Sequence, residues 1–203
     1  MVTDPTPVID VRKARADERA AVKATLTAAF RDEALFRWIH RDDADRPGRV
    51  HAFFDVVVEA LAHHDDTWSA GPGVRGAALW VPYGQPLVAD EQALATALCE
   101  AAGPDAERLT EVMELMDKQH PQEPHAYLWF IGVVPDSQGR GIGNALMSHV
   151  LERIDQAGTP AYLESTSPGS KKLYEQHGFV ARPHFEVASC TPVWPMWREP
   201  RTT

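Results

Sequence analysis

Residues 133–153 read Val133-Val-Pro-Asp-Ser-Gln-Gly-Arg-Gly-Ile-Gly-Asn-Ala-Leu-Met-Ser-His-Val-Leu-Glu-Arg153. Three glycines, Gly139, Gly141 and Gly143, alternate with Arg140 and Ile142. Just upstream lies an apolar run from Tyr127 to Val134, with the length and composition of a buried strand. Downstream, Ile142, Ala145, Leu146, Val150 and Ile154 recur at helical spacing, and Gly158 is placed to end that helix. A strand thus enters a glycine turn and leaves it as a helix over 141–156. The first N–H groups of a helix have no acceptor within it, and together with the helix dipole they favour an anion. Glycine lets the backbone approach such an anion closely, and Arg140 adds a mobile positive charge. The dinucleotide spacing G-x-G-x-x-G is not met, because Asn144 follows Gly143, and the lysine and hydroxyl of a Walker loop are missing.

Working outward, Val8-Ile-Asp-Val11 reads as a first strand, and Asp17 as the N-cap of a helix carrying Val22, Leu26, Ala29 and Phe30. Pro47 opens a second helix with Val50, Phe53, Phe54, Val57 and Leu61 on one stripe. The stretch 31–46 mixes aromatics with charges and takes no assignment. Thr67–Ala70 and Val74–Val81 form a hairpin around Gly71-Pro-Gly73. Asp90 caps a helix through Leu94 and Leu98; Gly103-Pro104 breaks it, and Leu109, Val112, Met113 and Met116 mark the next. After the glycine turn, 161–164 is a short strand, 170–176 a short helix ended by Gly178, and 179–187 and 193–197 two closing strands.

The chain has 203 residues, which sets an expectation of one domain, 1–203, with helices inserted at 88–120. Hydrophobic content of 44% and a net charge of −9 describe an ordinary acidic globular protein, poorly suited to nucleic acid or anionic membrane. Cys99 and Cys190 make no metal or redox motif, and the start Met-Val-Thr-Asp-Pro-Thr-Pro is not that of a signal peptide, so a cytoplasmic location is expected. His63-His-Asp-Asp66 reads as a polar helix end, since neighbouring residues do not converge on one ion; no metal is expected.

Two segments carry a family resemblance. Gln138-Gly-Arg-Gly-Ile-Gly143 resembles the acetyl-CoA motif Q/R-x-x-G-x-G/A of the GNAT superfamily of N-acetyltransferases, and Leu173-Tyr-Glu-Gln-His-Gly-Phe179 resembles its downstream L-Y-x-x-x-G-F signature. His120-Pro-Gln-Glu-Pro124, Tyr127-Leu, Gly132 through Gly143 and Gly158 through Ser165 are further similar to the subgroup around puromycin N-acetyltransferase. The resemblance implies an α/β GNAT fold: a mixed, mostly antiparallel sheet of about six to seven strands with a splayed parallel pair, flanked by helices, the motif region spanning 127–187. It implies acetyl-CoA as cosubstrate and direct attack by a primary amine of a small molecule, an antibiotic-like amine among the candidates. An acyl-CoA sensor of the same fold and an N-acetyltransferase of proteins or peptides are the alternatives, and a monomer or a homodimer fits either.

Residue by residue, the resemblance lays the pantetheine arm along the backbone of Ile131, Gly132 and Val133, with Gly132 as the site of the sheet-opening bulge. It sets the diphosphate on amides of Gln138, Gly139, Arg140, Gly141, Ile142, Gly143 and Asn144. Ser170 stands where relatives often carry an asparagine that touches pantetheine. Tyr174 matches the tyrosine that protonates the leaving thiolate. The glutamate that some relatives use as base has Tyr127 in its place, which leaves Glu123, His125 and Glu164 as level candidates and His184 as a weaker one. Phe36, Trp38, Phe53 and Phe54 are candidates for an aromatic acceptor pocket, with core packing the stronger expectation for the last two.

Overall fold

The computed structural model describes residues 9–187 and 191–201. Residue 8, with which the first strand was expected to open, and Cys190 lie outside them. The strands are β1 (Val11–Lys13), β2 (Thr67–Ala70), β3 (Gly76–Val81), β4 (Ala126–Val133), β5 (Ala161–Ser165), β6 (Val180–Ala181), β7 (Phe185–Val187) and β8 (Thr191–Arg198). The helices are α1 (Arg19–Phe30), α2 (Ala34–Ile39), α3 (Arg46–Ala60), α4 (Glu91–Ala102), α5 (Ala106–Gln119), α6 (Ile142–Gln156) and α7 (Pro168–Gln176). The sheet runs β1-β2-β3-β4-β5-β8-β6, with β7 also paired to β8. Among the described residues, only β4 and β5 run parallel.

Strand alternation divides the core. Along fully buried β3, Ala77, Leu79 and Val81 face a layer built from α1 to α5, while Ala78 and Trp80 face α6. On α6, Leu146, Met147, Val150 and Leu151 are at most 3% exposed, and burying each such side chain contributes roughly 1.5–3 kcal/mol. The helical spacing downstream of the glycine turn thus docks α6 on one face of the sheet and fixes where its N-terminus points.

Three expectations need correction, and one unassigned stretch gains a helix. Asp17 does not cap α1: it lies in a 3₁₀ turn, Ala16–Glu18, that precedes the helix. There Glu18 accepts from the Arg15 amide and pairs with Arg12, and these contacts hold its carboxyl down at about 2. The final segment 179–187 is not one strand but β6 and β7, parted around Pro183, which has no amide to donate to a ladder. The unassigned stretch 31–46 holds α2, capped by Glu33, whose carboxylate accepts from the Leu35 amide at 2.8 Å. The bulge is not at Gly132, which pairs in register with Ala77. Adjacent Leu79 and Trp80 pair with Phe130 and Leu128, so Trp129 is the extra residue. Gly132 serves another purpose: a Cβ there would meet the Ala29 Cβ at 2.8 Å, so the glycine lets α1 cross β4 closely.

Candidate active site

The parallel ladder between β4 and β5 is short. It joins Ala126, Tyr127 and Leu128 to Ala161, Tyr162 and Leu163, and stops where the Trp129 bulge begins. Beyond it β4 continues through Val133 and β5 through Ser165 without pairing to each other, so the strands part. Ile131, Gly132 and Val133 line the resulting cleft. Its mouth is closed by the glycine turn on one side and by α7 on the other.

At the turn, Gly141 has φ +84°, a conformation that suits glycine, and α6 starts at the next residue. The first helical bond runs from the Ala145 amide to the Gly141 carbonyl at 2.9 Å, so the amides of Ile142, Gly143 and Asn144 precede it. Gln138, Gly139, Gly141, Ile142, Gly143 and Asn144 line the cavity; Arg140 is exposed beside them. Arg75 braces the turn from below, donating to Ser137 Oγ at 3.0 Å and pairing with Asp136. No sequence signal marked Arg75. The Gln138 side chain folds back to the Val133 carbonyl at 3.1 Å, and Asn144 is held by His177 at 3.0 Å.

Across the cleft, Ser167 caps α7 by accepting from the Ser170 amide, and the Ser170 hydroxyl lies 2.8 Å from both Ser165 Oγ and Ser167 Oγ. Serine at 170 therefore helps tie the start of α7 to the end of β5. One turn on, Tyr174 lines the cavity; burial pushes its phenol above the usual tyrosine range, so it carries its proton at neutral pH.

The cavity, about 1390 Å³, does not stop at the cofactor cleft. It continues to a chamber walled by Phe30, Phe36, Phe53 and Phe130, with Leu109 and Met113 from the inserted α5. The rings of Phe54 and Phe130 lie 5.1 Å apart, edge to face, but Phe54 is sealed in the core. Phe36 and Phe53, each 4% exposed, pack in the core as well, and border the chamber from it. Trp38 is not among the lining residues and stands under Arg41 instead. His184 likewise is not among them and packs near Trp194.

Of the carboxylates that line this space, Glu164 and Glu33 each have a buried oxygen without a hydrogen bond. Glu164, on β5, accepts from Tyr127 Oη at 2.8 Å, and its Oε1 is buried without a hydrogen bond. Burial and the Glu164 charge together push the Tyr127 phenol well above its ordinary value. Glu33, at the end of the α1–α2 loop, has a second oxygen sealed from solvent and unpaired, with Thr166 alongside. Burial raises its carboxyl. Sequence reasoning missed Glu33 because it sits in the stretch without periodicity. His125 and Glu123 also line the cavity, but the Glu123 residue is exposed and it is its carbonyl that meets His125 Nδ1, at 2.6 Å. His120, on the loop after α5, stands between His125 and Glu164.

Residues 76–179 match the Acetyltransferase (GNAT) family, a span that holds the splayed strands, the glycine turn and Tyr174. The chain belongs to this family. An uncharacterized N-acetyltransferase of Schizosaccharomyces pombe is 34% identical over 79 residues, covering 37% of this chain and 32% of that protein. The match thus spans about a third of that curated relative's length. Among solved structures, a histone acetyltransferase HPA2 and related acetyltransferase from Corynebacterium glutamicum shares the GNAT fold at a TM-score of 0.70 and 22% identity, covering 96% of this chain and 98% of that one. Arylalkylamine N-acetyltransferase 2 from Aedes aegypti shares it at 0.67 and 12%, covering 95% and 99%. Among the described residues, the eight-stranded, mostly antiparallel sheet with its parallel pair is this GNAT fold, one or two strands larger than the sequence led us to expect.

Proposed function

We propose that this GNAT protein transfers an acetyl group from acetyl-CoA to the primary amine of a small molecule. The observation that carries the reading is the continuity of one cavity, from the amides of the glycine turn, between the parted strands, to an apolar chamber with a buried carboxylate. The amides at the start of α6 hold the diphosphate, with Arg140 at its edge. The backbone of Ile131 to Val133 pairs with the pantetheine arm, which lays the thioester beside Tyr174. A strand amide, that of Val133, polarises the thioester carbonyl. Glu33 receives the incoming ammonium, because its unpaired oxygen gains a partner when a cation arrives. Tyr174 then protonates the departing thiolate.

A small acceptor is favoured over a peptide because the inserted α4 and α5 wall the chamber with Leu94, Leu109, Val112, Met113 and Met116. An amine with an apolar or aromatic body suits such walls, in keeping with the puromycin-like resemblance and with the arylalkylamine substrates in the name of the mosquito neighbour. Incubation of the full chain with acetyl-CoA and a panel of small amines, with thiol release as the readout, tests the proposal. Release with apolar primary amines is expected; CoA binding without release for any amine would contradict it.

A further inference from the structure

The glycine turn has little stiffness of its own. Gly139 at φ +72° and Gly141 at φ +84° give residues 138–141 a freedom that side chains would deny them. The amides of such a turn converge on an anion at low cost only if both of its ends are fixed beforehand. One short stretch, the first residue of β3 and the residue before it, fixes both. At the exit, Gly76 faces the first residue of α6: a Cβ there would meet an Ile142 methyl at 2.5 Å, so the glycine lets the helix start press directly on the strand. At the entrance, Arg75 holds residues 134–137 at three points. Its carbonyl accepts from the Val134 amide at 3.0 Å, its Nε donates to Ser137 Oγ at 3.0 Å, and its guanidinium pairs with Asp136. Ser137 is 5% exposed, and its amide closes the 3₁₀ turn Pro135–Ser137 onto the Val134 carbonyl at 2.9 Å.

Arg75 is itself held in place by its neighbour. Val74 has φ +58°, a conformation that a β-branched residue adopts only under constraint. Two contacts impose it. The Val74 side chain is 2% exposed, packed in the core layer of α1 to α5, and the Val74 carbonyl accepts from the buried Thr25 hydroxyl on α1. Backbone strain of this kind persists only where the surroundings over-determine it. Here it delivers the next residue, Arg75, to the entrance of the glycine turn.

We propose that Arg75 is the positioning residue of the diphosphate site: it holds the glycine turn in its binding shape and offsets the Asp136 carboxylate beside that turn. The inference rests on the acetyl-CoA reading above, and adds a side chain to a site which that reading builds from main-chain amides and the Arg140 edge. Arg75 is not among the residues that line the cavity, whereas Ser137 and Gln138 are, so it acts through the turn. The Asp136 side chain is 72% exposed, and its contacts with Arg75 and then Ser137 hold its carboxyl below the usual range, so it is an anion at neutral pH. An anion left alone at that point would oppose a diphosphate; the guanidinium, with Arg140 also acting on Asp136, offsets its field. A lysine could supply the charge, but not the fork that reaches Asp136 and Ser137 together.

Calorimetric titration of CoA into the full chain tests this, together with kinetics on two donors: acetyl-CoA, and S-acetylpantetheine, which has the same thioester and no diphosphate. Arg75→Gln should weaken CoA on the order of tenfold and raise the KM for acetyl-CoA by a like factor, with kcat close to wild type. Arg75→Lys, which keeps the measurement open if Arg75→Gln fails to fold, should lose roughly threefold. Rates with S-acetylpantetheine should be those of the wild type, a split that a general loosening of the fold would not produce. Asp136→Asn should bind CoA at least as tightly as the wild type, because Arg75 keeps its bond to Ser137. CoA affinity in both Arg75 variants within about twofold of wild type, equal losses with the two donors, or weaker binding in Asp136→Asn would each overturn the proposal. A wild type that binds CoA but releases no thiol would remove the acetyltransferase reading and leave the role of Arg75 standing, since the titration reads it without turnover. A wild type without CoA affinity would overturn both.

Discussion

The two halves of the cavity offer a ligand different kinds of group. The cofactor half, from Ile131 to Asn144, offers main-chain groups: strand edges freed where β4 leaves β5, and amides at the start of α6. The acceptor half offers side chains brought from distant parts of the chain: Glu33 from the α1–α2 loop, His120 from the end of the insertion, Glu164 from β5, and phenylalanines from four elements. A backbone site needs only glycines and a register, and tolerates many sequences around them. A side-chain site must specify each residue, and changes its ligand when one changes.

If that division holds, single substitutions should separate the halves cleanly. The largest effect is expected from Tyr174→Phe, which removes the hydroxyl proposed as the acid, where the halves meet. Turnover in the thiol-release assay should fall on the order of 10²-fold or more, with CoA affinity unchanged. A fall in CoA affinity of similar size would make Tyr174 a packing residue instead. Glu33→Gln should raise the KM for the amine roughly tenfold or more, since hydrogen bonds to charged groups contribute ~1.5–3 kcal/mol, and leave both CoA binding and kcat close to wild type. An unaltered KM would take Glu33 out of the acceptor half.

The cofactor half was legible in the sequence because its parts are local. Gln138 through Gly143 and Leu173 through Phe179 are contiguous, and the helical spacing from Ile142 sets the docking of α6 directly. The acceptor half was legible only in part: Glu164, Phe36 and Phe53 were candidates from the sequence, whereas Glu33 and His120 acquire meaning only through long-range contacts. Glu33 is surrounded by charges without period, and His120 sits in a proline-flanked loop where nothing nearby hints at Glu164. The same limit misplaced the bulge. A glycine in a strand signals either a kink or a close neighbour, and only the crossing of α1 shows that Gly132 is the second kind, while the kink falls at Trp129. Likewise Asp90 capped its helix as its position implied, accepting from the Ala93 amide at 2.9 Å, whereas Asp17 was displaced by the Glu18–Arg12 pair that no local pattern reveals.

Gly132 supplies the next test. Gly132→Ala forces the new methyl into Ala29 and should destabilise the fold by ~1–3 kcal/mol, read as a lowered thermal midpoint, because the backbone of α1 must move. An unchanged midpoint would mean that α1 does not press on the cofactor strand and that the halves are mechanically separate. The smallest effect concerns the C-terminal end of α6. Arg198 donates to both Asp155 oxygens at 2.7 Å, and these bonds hold the Asp155 carboxyl below its usual range. A depressed carboxyl contributes stability that is complete above the unfolded-state value near 3.9 and is lost as pH falls through the lower folded value. Thermal midpoints should therefore favour the wild type over Asp155→Asn by a few degrees at pH 6, and the gap should close as the pH is lowered toward 2. A gap independent of pH would assign the difference to packing.

The central claim is that main-chain donors at the opening of α6 hold the diphosphate. A Cβ at Gly143 meets only ordinary contacts, with Leu173 at 3.6 Å and Val133 at 3.9 Å, so a side chain there should leave the fold intact while projecting between the two walls of the mouth. Calorimetric titration of CoA into the wild type and into Gly143→Val tests the claim directly. The account predicts saturable binding of one CoA per chain, weakened on the order of tenfold or more in the variant, equivalent to at least ~1.4 kcal/mol. No binding by the wild type, or equal affinity in a folded variant, would contradict it.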